Sequence, residues 1–172
     1  MNITQNLSKA TKIIKLDRFA INEVSRDPSA TPYSFAIPLI AGVANAIGLL
    51  IIIPGIFILP VVLITELLII TAIIHSAARI FGGQSKFIEL FRPLGHASIL
   101  IWITAVPLIG PMFTIFIALW YAIMQVFIVR EVFAFNTKKS IAIVIIPQLI
   151  TGIILFLLGV AFWQNIEPFI FS

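Results

Sequence analysis

From Pro28 to Ala78 the sequence contains a single charged residue, Glu66, and this long uncharged stretch constrains the fold more than any other feature. Over the whole chain 60% of the residues are hydrophobic and 10% are charged, whereas ordinary soluble domains carry about 25% charged residues. A soluble domain of 172 residues cannot enclose that much apolar side chain, because its surface must be largely polar. The sequence therefore predicts an integral membrane protein.

Five apolar segments are candidates for transmembrane helices. A helix needs about 20 apolar residues to cross a hydrocarbon core of about 30 Å. Pro54-Gly55 predicts a tight turn between the first two segments, because proline cannot continue a helix and glycine accepts a reversed backbone. Gly82-Gly83 predicts the end of the second segment. We therefore expect an all-α fold, a polytopic membrane helix bundle with spans at about residues 35–53, 56–80, 94–109, 112–129 and 141–163.

The third segment is the shortest, since only 13 residues, Leu94 to Val106, lie between Pro93 and Pro107, and it either crosses the membrane or is re-entrant. With five spans and an inside N-terminus, all 11 lysines and arginines lie on the inner side. A re-entrant third segment would send Arg130, Lys138 and Lys139 outside, against the positive-inside tendency. The charge pattern therefore favours five spans, a cytoplasmic N-terminus and an outer C-terminus.

Residues 1–30 are predicted to be a cytoplasmic or interfacial segment ahead of the transmembrane domain, residues 31–172. Six apolar side chains from Leu7 to Val24 share one helical face, and Lys12, Lys15 and Arg18 lie opposite. This pattern predicts an amphipathic helix on the inner leaflet, with its apolar face in lipid and its cations near anionic headgroups. A disordered basic leader is the alternative. No signal-peptide pattern is present in this segment.

Polar side chains inside the predicted spans are the candidates for a functional site. Glu66 lies about 15 Å into the second span, near the midplane, where an ionised carboxylate costs at least about 2.5–3.5 kcal/mol. A protonated Glu66 hydrogen-bonded to Asn45 or Tyr121 is one interpretation, and a proton- or ion-coupled role is the other. Gln125 and His75 complete the intramembrane candidates.

Catalytic, cofactor and metal sites are not predicted. The chain has no cysteine, which excludes thiolate catalysis and cysteine-ligated zinc. His75, His96 and Glu66 are too widely spread in predicted depth to form a ligand set, and phosphate-loop, nucleotide and zinc-protease signatures are absent. The net charge of +4 comes from cations beside apolar spans, which favours anionic lipid headgroups rather than nucleic acid as partners.

Small residues recur at four-residue spacing, as in Gly42 and Ala46 or Ala118 and Ala122. Such pairs allow helices to approach closely in lipid. The pattern fits packing of the spans within one chain, and it also fits a seam in a homo- or hetero-oligomer with other membrane proteins.

Two stretches carry a family resemblance. HSAARIFGGQSKFIELFRPLGHASI, which begins at His75, resembles the hallmark of the Yip1 domain family: a span ending in a histidine, small residues and an arginine, then a Gly-Gly loop, an amphipathic run, and a glycine followed by an aromatic residue. PLIGPMFTIFIALWYAIMQVFIVREVFAFNTKKSIAIVIIP, which begins at Pro107, is similar to the later half of the family. The likeness covers about Asp17 to Trp163, and His96 stands where the family often has a tyrosine.

The resemblance implies a five-span protein with a cytoplasmic N-terminus, in agreement with the charge pattern. Eukaryotic members sit in Golgi and endoplasmic reticulum membranes and interact with Rab GTPases and with each other, so a eukaryotic chain would be expected there. This sequence lacks their long cytosolic N-terminal region. Its short, isoleucine-rich and cysteine-free character favours a prokaryotic member in the cell membrane.

Two functions fit these observations. The first is a non-enzymatic Yip1-type scaffold or adaptor that organises the membrane or partner proteins through a basic cytoplasmic face. The second is a small transporter, channel or lipid-moving protein that uses the polar site around Glu66. The candidates for cytoplasmic loop and headgroup contacts are Arg79, Gly82, Gly83, Lys86, Arg92, Arg130, Lys138 and Lys139.

Overall fold

The computed structural model describes the backbone of residues 2–107 and 112–170, and the side chains of these residues up to residue 153 and at residue 157. Helices are the only regular elements in this part of the chain. The all-α prediction is therefore confirmed for these residues. The α-helices are α1 (Ile3–Ile14), α2 (Arg18–Arg26), α3 (Thr31–Gly48), α4 (Ile52–Ile80), α5 (Phe87–Ala97), α6 (Thr114–Phe133) and α7 (Thr137–Ile170). Two 3₁₀ helices, Pro28–Ala30 and Ser98–Ala105, precede α3 and follow α5.

Three stretches of the described chain are long and apolar enough to cross a membrane: Pro28–Gly48, Ile52–Ile80 and Thr114–Phe133. They correspond to the first, second and fourth predicted spans. The backbone of α7 covers the fifth predicted span and extends beyond it at both ends. Leu108 and Ile109, at the end of the third predicted span, lie outside the described residues.

The reversal between α3 and α4 comes earlier than predicted. The chain turns at Leu49 to Ile51, where Leu50 has a φ of 58°, and the Leu50 and Ile51 amides donate to the Ile47 and Ala46 carbonyls at 3.0 Å each. These two bonds form a Schellman motif that ends α3. Ile53 has non-helical backbone angles, with φ −122° and ψ 117°. The regular helix of α4 therefore starts at Pro54, where the missing N–H leaves no helical hydrogen bond unmade. The prediction of a turn at Pro54-Gly55 was wrong because proline marks a helix start as well as a stop.

The predicted helix end at Gly82-Gly83 is confirmed. Gly82 has a φ of 83°, and its amide donates to the Arg79 carbonyl at 3.0 Å. The Gly83 amide donates to the Ala78 carbonyl at 2.8 Å. This is again a Schellman motif, here with glycine in the left-handed position that glycine adopts at no steric cost.

The third apolar segment is built from α5 and the 3₁₀ helix that follows it, rather than from one α-helix. It runs beside α3: Gly95 packs against the backbone of Ser34, and Gly48 packs against the Thr104 carbonyl. A 3₁₀ helix rises about 2.0 Å per residue against about 1.5 Å in an α-helix. By these rises the stretch from Gly95 to Thr104 spans about 16–17 Å, which is most of the length of about 21 Å from Ser34 to Gly48 beside it.

The N-terminal segment forms two helices instead of the single amphipathic helix that was predicted. The chain breaks at Leu16, which has a φ of 61°. Asp17 starts the second helix, since its Oδ1 accepts from the amides of Phe19 and Ala20 at 2.8 Å and 3.2 Å. Aspartate favours this N-cap position because its carboxylate satisfies amides that lack a helical partner.

The apolar face of this segment is buried in protein, not in lipid. Ile13, Ile21 and Val24 are 0% exposed and belong to a hydrophobic core that includes Phe91 of α5 and Ile128 of α6. An amphipathic pattern predicts that one face is buried but does not identify what covers it. The expectation that this face rests on the inner leaflet is corrected accordingly.

The distribution of exposed apolar and charged side chains distinguishes two parts of the bundle. Exposed large apolar side chains run along α4 from Ile52 to Ile69 and along α6 from Ile115 to Ile123; we call this zone the apolar belt. On α4 it is about 26 Å long, close to the thickness of a hydrocarbon core, about 30 Å. The other part, called the charged end, comprises α1, α2, α5, the C-terminal parts of α4 and α6, and the start of α7, and it carries every lysine and arginine.

We predict that Gly95→Ala lowers the melting temperature by several degrees in detergent. A Cβ at this position would collide with the backbone of Ser34, and overpacking of this kind costs about 1–3 kcal/mol. The matched control is Gly152→Ala, where no atom of the described residues outside its own helical turns lies within 4 Å of the added Cβ. Equal melting temperatures for Gly95→Ala and the wild type would contradict the close packing of α3 on α5.

Candidate functional site

Four of the five predicted intramembrane polar residues converge on one cavity. Asn45, Glu66, Tyr121 and Gln125 all line a space of about 340 Å³ among α3, α4, α6, α7 and the 3₁₀ helix that follows α5. Their predicted similarity in depth was the signal that brought them together in the sequence. His75, the fifth candidate, does not line this cavity.

The same cavity contains polar residues that sequence reasoning missed. Ser98, Thr104, Thr114 and Gln148 also line it, and the Gln148 Nε2 donates to the Gln125 Oε1. Isolated serines and threonines in apolar helices carry little sequence signal, because their hydroxyls usually bond to their own helix. The two glutamines were more informative, since each lies at a similar depth in a neighbouring span.

Glu66 does not make the hydrogen bond to Asn45 or Tyr121 that was expected. The Tyr121 hydroxyl donates instead to the Leu94 carbonyl at 3.2 Å. Glu66 is an exposed residue. Within residues 2–107 and 112–153, its carboxylate takes part in no hydrogen bond or ion pair. Its position on α4 turns the side chain toward the gap beside α7, and that orientation explains the missing bond.

A second, larger cavity opens between α4 and α7. Its volume is about 680 Å³, and its wall is mostly apolar. Glu66 and Gln148 line both this cavity and the smaller one. The carboxylate therefore sits at the junction of the inner cavity, where several polar side chains gather, and the more apolar groove on the side of the bundle. The apolar residues of the groove include Val61, Val62, Ile69, Ile70 and Ile73.

His75 and Arg79 hold the loop after α4. The His75 Nε2 donates to the Ser85 carbonyl at 3.1 Å, and the Arg79 Nη1 donates to the Gly83 carbonyl at 3.2 Å. The Ser85 hydroxyl in turn donates to the Val132 carbonyl at 2.6 Å. The spacing of histidine, arginine and two glycines in the hallmark stretch therefore fixes this loop against α6.

Arg92 and His96 tie α5 to the N-terminal segment and to the start of α3. The Arg92 guanidinium donates to the Ser25 carbonyl and to the Thr31 hydroxyl at 2.8 Å each. The His96 Nδ1 donates to the Arg92 carbonyl at 2.9 Å, and its Nε2 lies 3.2 Å from the Asn6 side-chain oxygen. Arg92 is only 8% exposed, so its charge is engaged inside the protein rather than at the surface.

Other cations predicted for headgroup contacts also have partners within the chain. Arg130 forms an ion pair with Glu131 at 2.8 Å, and the Lys139 Nζ donates to the Phe81 carbonyl at 2.6 Å and lies 4.0 Å from the centre of the Phe135 ring. The cationic residues with exposed side chains are Lys12, Lys15, Arg18, Arg26, Arg79, Lys86 and Lys138.

Asp27 closes the N-terminal segment against α1. Its Oδ1 accepts from the Ser29 hydroxyl at 2.7 Å, and this bond lowers the pKa of the Asp27 carboxyl below its usual value. The ionised carboxylate also lies 3.9 Å from the Lys9 Nζ, which contacts Glu23 at 2.8 Å. Because the folded pKa is depressed, the contribution of Asp27 to stability is present at neutral pH and is lost as the pH falls through that pKa.

We predict that Arg92→Met loosens α1 and α2 from the rest of the protein. The change leaves the Ser25 carbonyl buried without its donor, and an unsatisfied buried group costs about 1–3 kcal/mol. Hydrogen–deuterium exchange in detergent should show faster exchange in residues 3–26. Lys138→Met, which removes an exposed cation, is the control, and equal exchange in both variants would refute a clamping role for Arg92.

Comparison with known proteins identifies one family. The family model described as the Yip1 domain matches residues 21–159, most of the chain. No curated protein and no solved structure matches. The matched range contains both polar clusters: the residues around the two cavities, and the residues that fix the loop after α4.

Proposed function

We propose, from the premise that the chain belongs to the Yip1 domain family, that this multi-pass membrane protein is a non-enzymatic scaffold or adaptor acting through its charged end. The observation that carries the proposal is the division of the bundle into an apolar belt and a charged end. The charged end is a packed bundle of six helices with a continuous hydrophobic core. A rigid surface of this kind suits recognition of lipids or partner proteins better than a disordered leader would.

Five membrane crossings with a cytoplasmic N-terminus are part of this proposal. The third segment, composed of α5 and the following 3₁₀ helix, runs beside α3 from Ser34 to Gly48, which supports a full crossing despite its few residues. The positive-inside tendency then assigns the charged end to the cytoplasm and the end of α7 to the outer side.

The inner edge of the hydrocarbon lies near Trp120 in this arrangement. The Trp120 Nε1 donates to the Ile14 carbonyl at 3.0 Å, so the C-terminal end of α1 lies beside this point of α6. Hydrocarbon reaching farther toward the charged end would surround Lys12 and Lys15, at about 2.5–3.5 kcal/mol for each cation. Glu66, which lines the cavity beside Tyr121, then lies near the inner edge of the hydrocarbon and not at its midplane.

The junction between α1 and α2 is the part of the charged end best suited to anionic headgroups. Lys12, Lys15 and Arg18 are exposed there. Phe19, beside them, is 82% exposed, and aromatic rings favour the interfacial region. Each cation near an anionic leaflet contributes about 1 kcal/mol, so this junction can orient the protein on an acidic membrane.

The position of the hydrocarbon edge gives a labelling prediction. The chain has no native cysteine, so single-cysteine variants report without background. Ser76→Cys, on an exposed position of α4 beyond the apolar belt, should react with a membrane-impermeant maleimide from the cytoplasmic side. Leu50→Cys should react only from the opposite side, and Val62→Cys from neither. A shielded Ser76→Cys, or Ser76→Cys and Leu50→Cys labelled from the same side, would contradict the proposed topology.

The headgroup role gives a binding prediction. The triple variant Lys12→Gln, Lys15→Gln, Arg18→Gln should retain at least tenfold less phosphatidylglycerol from mixed vesicles, because three headgroup attractions of about 1 kcal/mol each are removed. The charge-matched control is Arg26→Gln, Lys86→Gln, Lys138→Gln. Co-purified lipid is measured by mass spectrometry. Equal losses in the two triple variants would show that general charge matters and the junction does not.

A second candidate function, a small transporter or lipid-moving protein, is favoured by one observation: Asn45, Glu66, Tyr121 and Gln125 line a single cavity. Movement of lipid or ions across the bilayer would use this polar space. Reconstituted vesicles that show no flux of labelled lipid, protons or ions, at acidic or neutral pH, would exclude this candidate.

A further inference from the structure

We propose that the groove between α4 and α7 is a binding site for a membrane amphiphile whose polar end carries a primary ammonium group, as ethanolamine-headed lipids do. The ammonium lies at the Glu66 carboxylate, and an acyl chain lies along the apolar wall. The groove shares Glu66 and Gln148 with the smaller cavity on which the second candidate function depends. The proposal requires only that the amphiphile binds in the groove, not that it is transported.

The groove has the size and surface of a ligand site. Its volume of about 680 Å³ falls in the range of about 300–1,000 Å³ that small-molecule sites occupy. The wall is mostly apolar, with a few polar side chains at Thr65, Glu66, Gln148 and Thr151. An apolar wall with few and localised polar groups matches a molecule with a chain and one small polar end.

Charge complementarity identifies the polar end. Glu66 has no ion-pair or hydrogen-bond partner among the side chains that the structure describes, and the residues three and four positions away on α4 are all apolar. An ionised carboxylate facing an apolar groove is costly unless it takes up a proton or an opposite charge accompanies it. A primary ammonium supplies that charge and donates hydrogen bonds to the carboxylate.

The level of Glu66 fits a lipid headgroup. With the hydrocarbon edge near Trp120, the carboxylate lies close to the inner headgroup layer, so an amine can reach it while the rest of the molecule stays in the leaflet. The groove runs along α4 on both sides of Glu66, past Val62 into the apolar belt and past Ile69 and Ile73 toward the charged end. Apart from its own helical turns, no atom of the described residues lies within 4 Å of a Cβ at Gly152, so the described part of the groove is open there for a chain.

The site is tested by photocrosslinking in nanodiscs. The probes are a photoactivatable phosphatidylethanolamine and a phosphatidylglycerol with the same chains. The wild type should crosslink the ethanolamine lipid at least tenfold more than the glycerol lipid, with the label on α4 and α7. Glu66→Gln should remove this preference, whereas Glu66→Asp, which keeps the charge, should retain part of it.

A second variant keeps the test informative if Glu66→Gln fails to fold. Gly152→Phe fills the groove without altering any charge and should lower labelling by both lipids, whereas Leu119→Phe, on the exposed face of α6, should leave it unchanged. Equal labelling by the two lipids in the wild type, unchanged labelling in Glu66→Gln, or crosslinking of the groove to a second copy of the chain would overturn the proposal. Crosslinking without flux would support the site and exclude transport, and neither result bears on the scaffold role.

Discussion

The buried guanidinium of Arg92 is the interaction on which the charged end depends. It reaches the last turn of α2 and the first turn of α3 at once, while the Arg92 carbonyl accepts from His96 on its own helix. Arginine suits this position because its planar fork holds several donors in fixed directions and stays charged under all relevant conditions. Through these bonds the N-terminal helices, α3 and α5 keep one mutual arrangement, and the exposed cations of α1 and α2 keep a fixed position relative to the rest of the protein.

The charges and the hydrophobicity of the sequence determined the fold class, and local patterns determined several helix ends. Glycine pairs such as Gly82-Gly83 are unambiguous, since a left-handed residue after a helix has few alternatives. Pro54 was ambiguous because proline occurs at both ends of helices, and the turn residue Leu50 carries no sequence signal at all. Asn45, Glu66, Tyr121 and Gln125 were predicted as a group because depth can be counted along a helix. The partners of Glu66 were not predictable, because they depend on which side of α4 each neighbour packs against.

The number of residues alone understates how far the third segment extends along α3. Counting apolar residues at the rise of an α-helix makes it too short to cross, yet the 3₁₀ helix stretches the backbone along most of α3 beside it. Glycines permit this arrangement, since Gly95 and Gly48 let the two backbones meet. The same close approach leaves space elsewhere in the bundle: the polar cavity lies where the 3₁₀ helix faces α4 and α6. A segment made from two kinds of helix thus helps to form the site.

The contacts of the N-terminal segment have a consequence for biosynthesis. Asn6 precedes His96 by 90 residues, and Ile14 precedes Trp120 by 106 residues. At a synthesis rate of about 5–20 residues per second, the later partner emerges about 5–20 s after the earlier one. During that interval the apolar faces of α1 and α2 have no protein to pack against, and the bilayer surface next to the translocation machinery is the nearest apolar phase. The amphipathic pattern would then serve the nascent chain as a temporary membrane contact, exchanged for protein packing once α6 is complete.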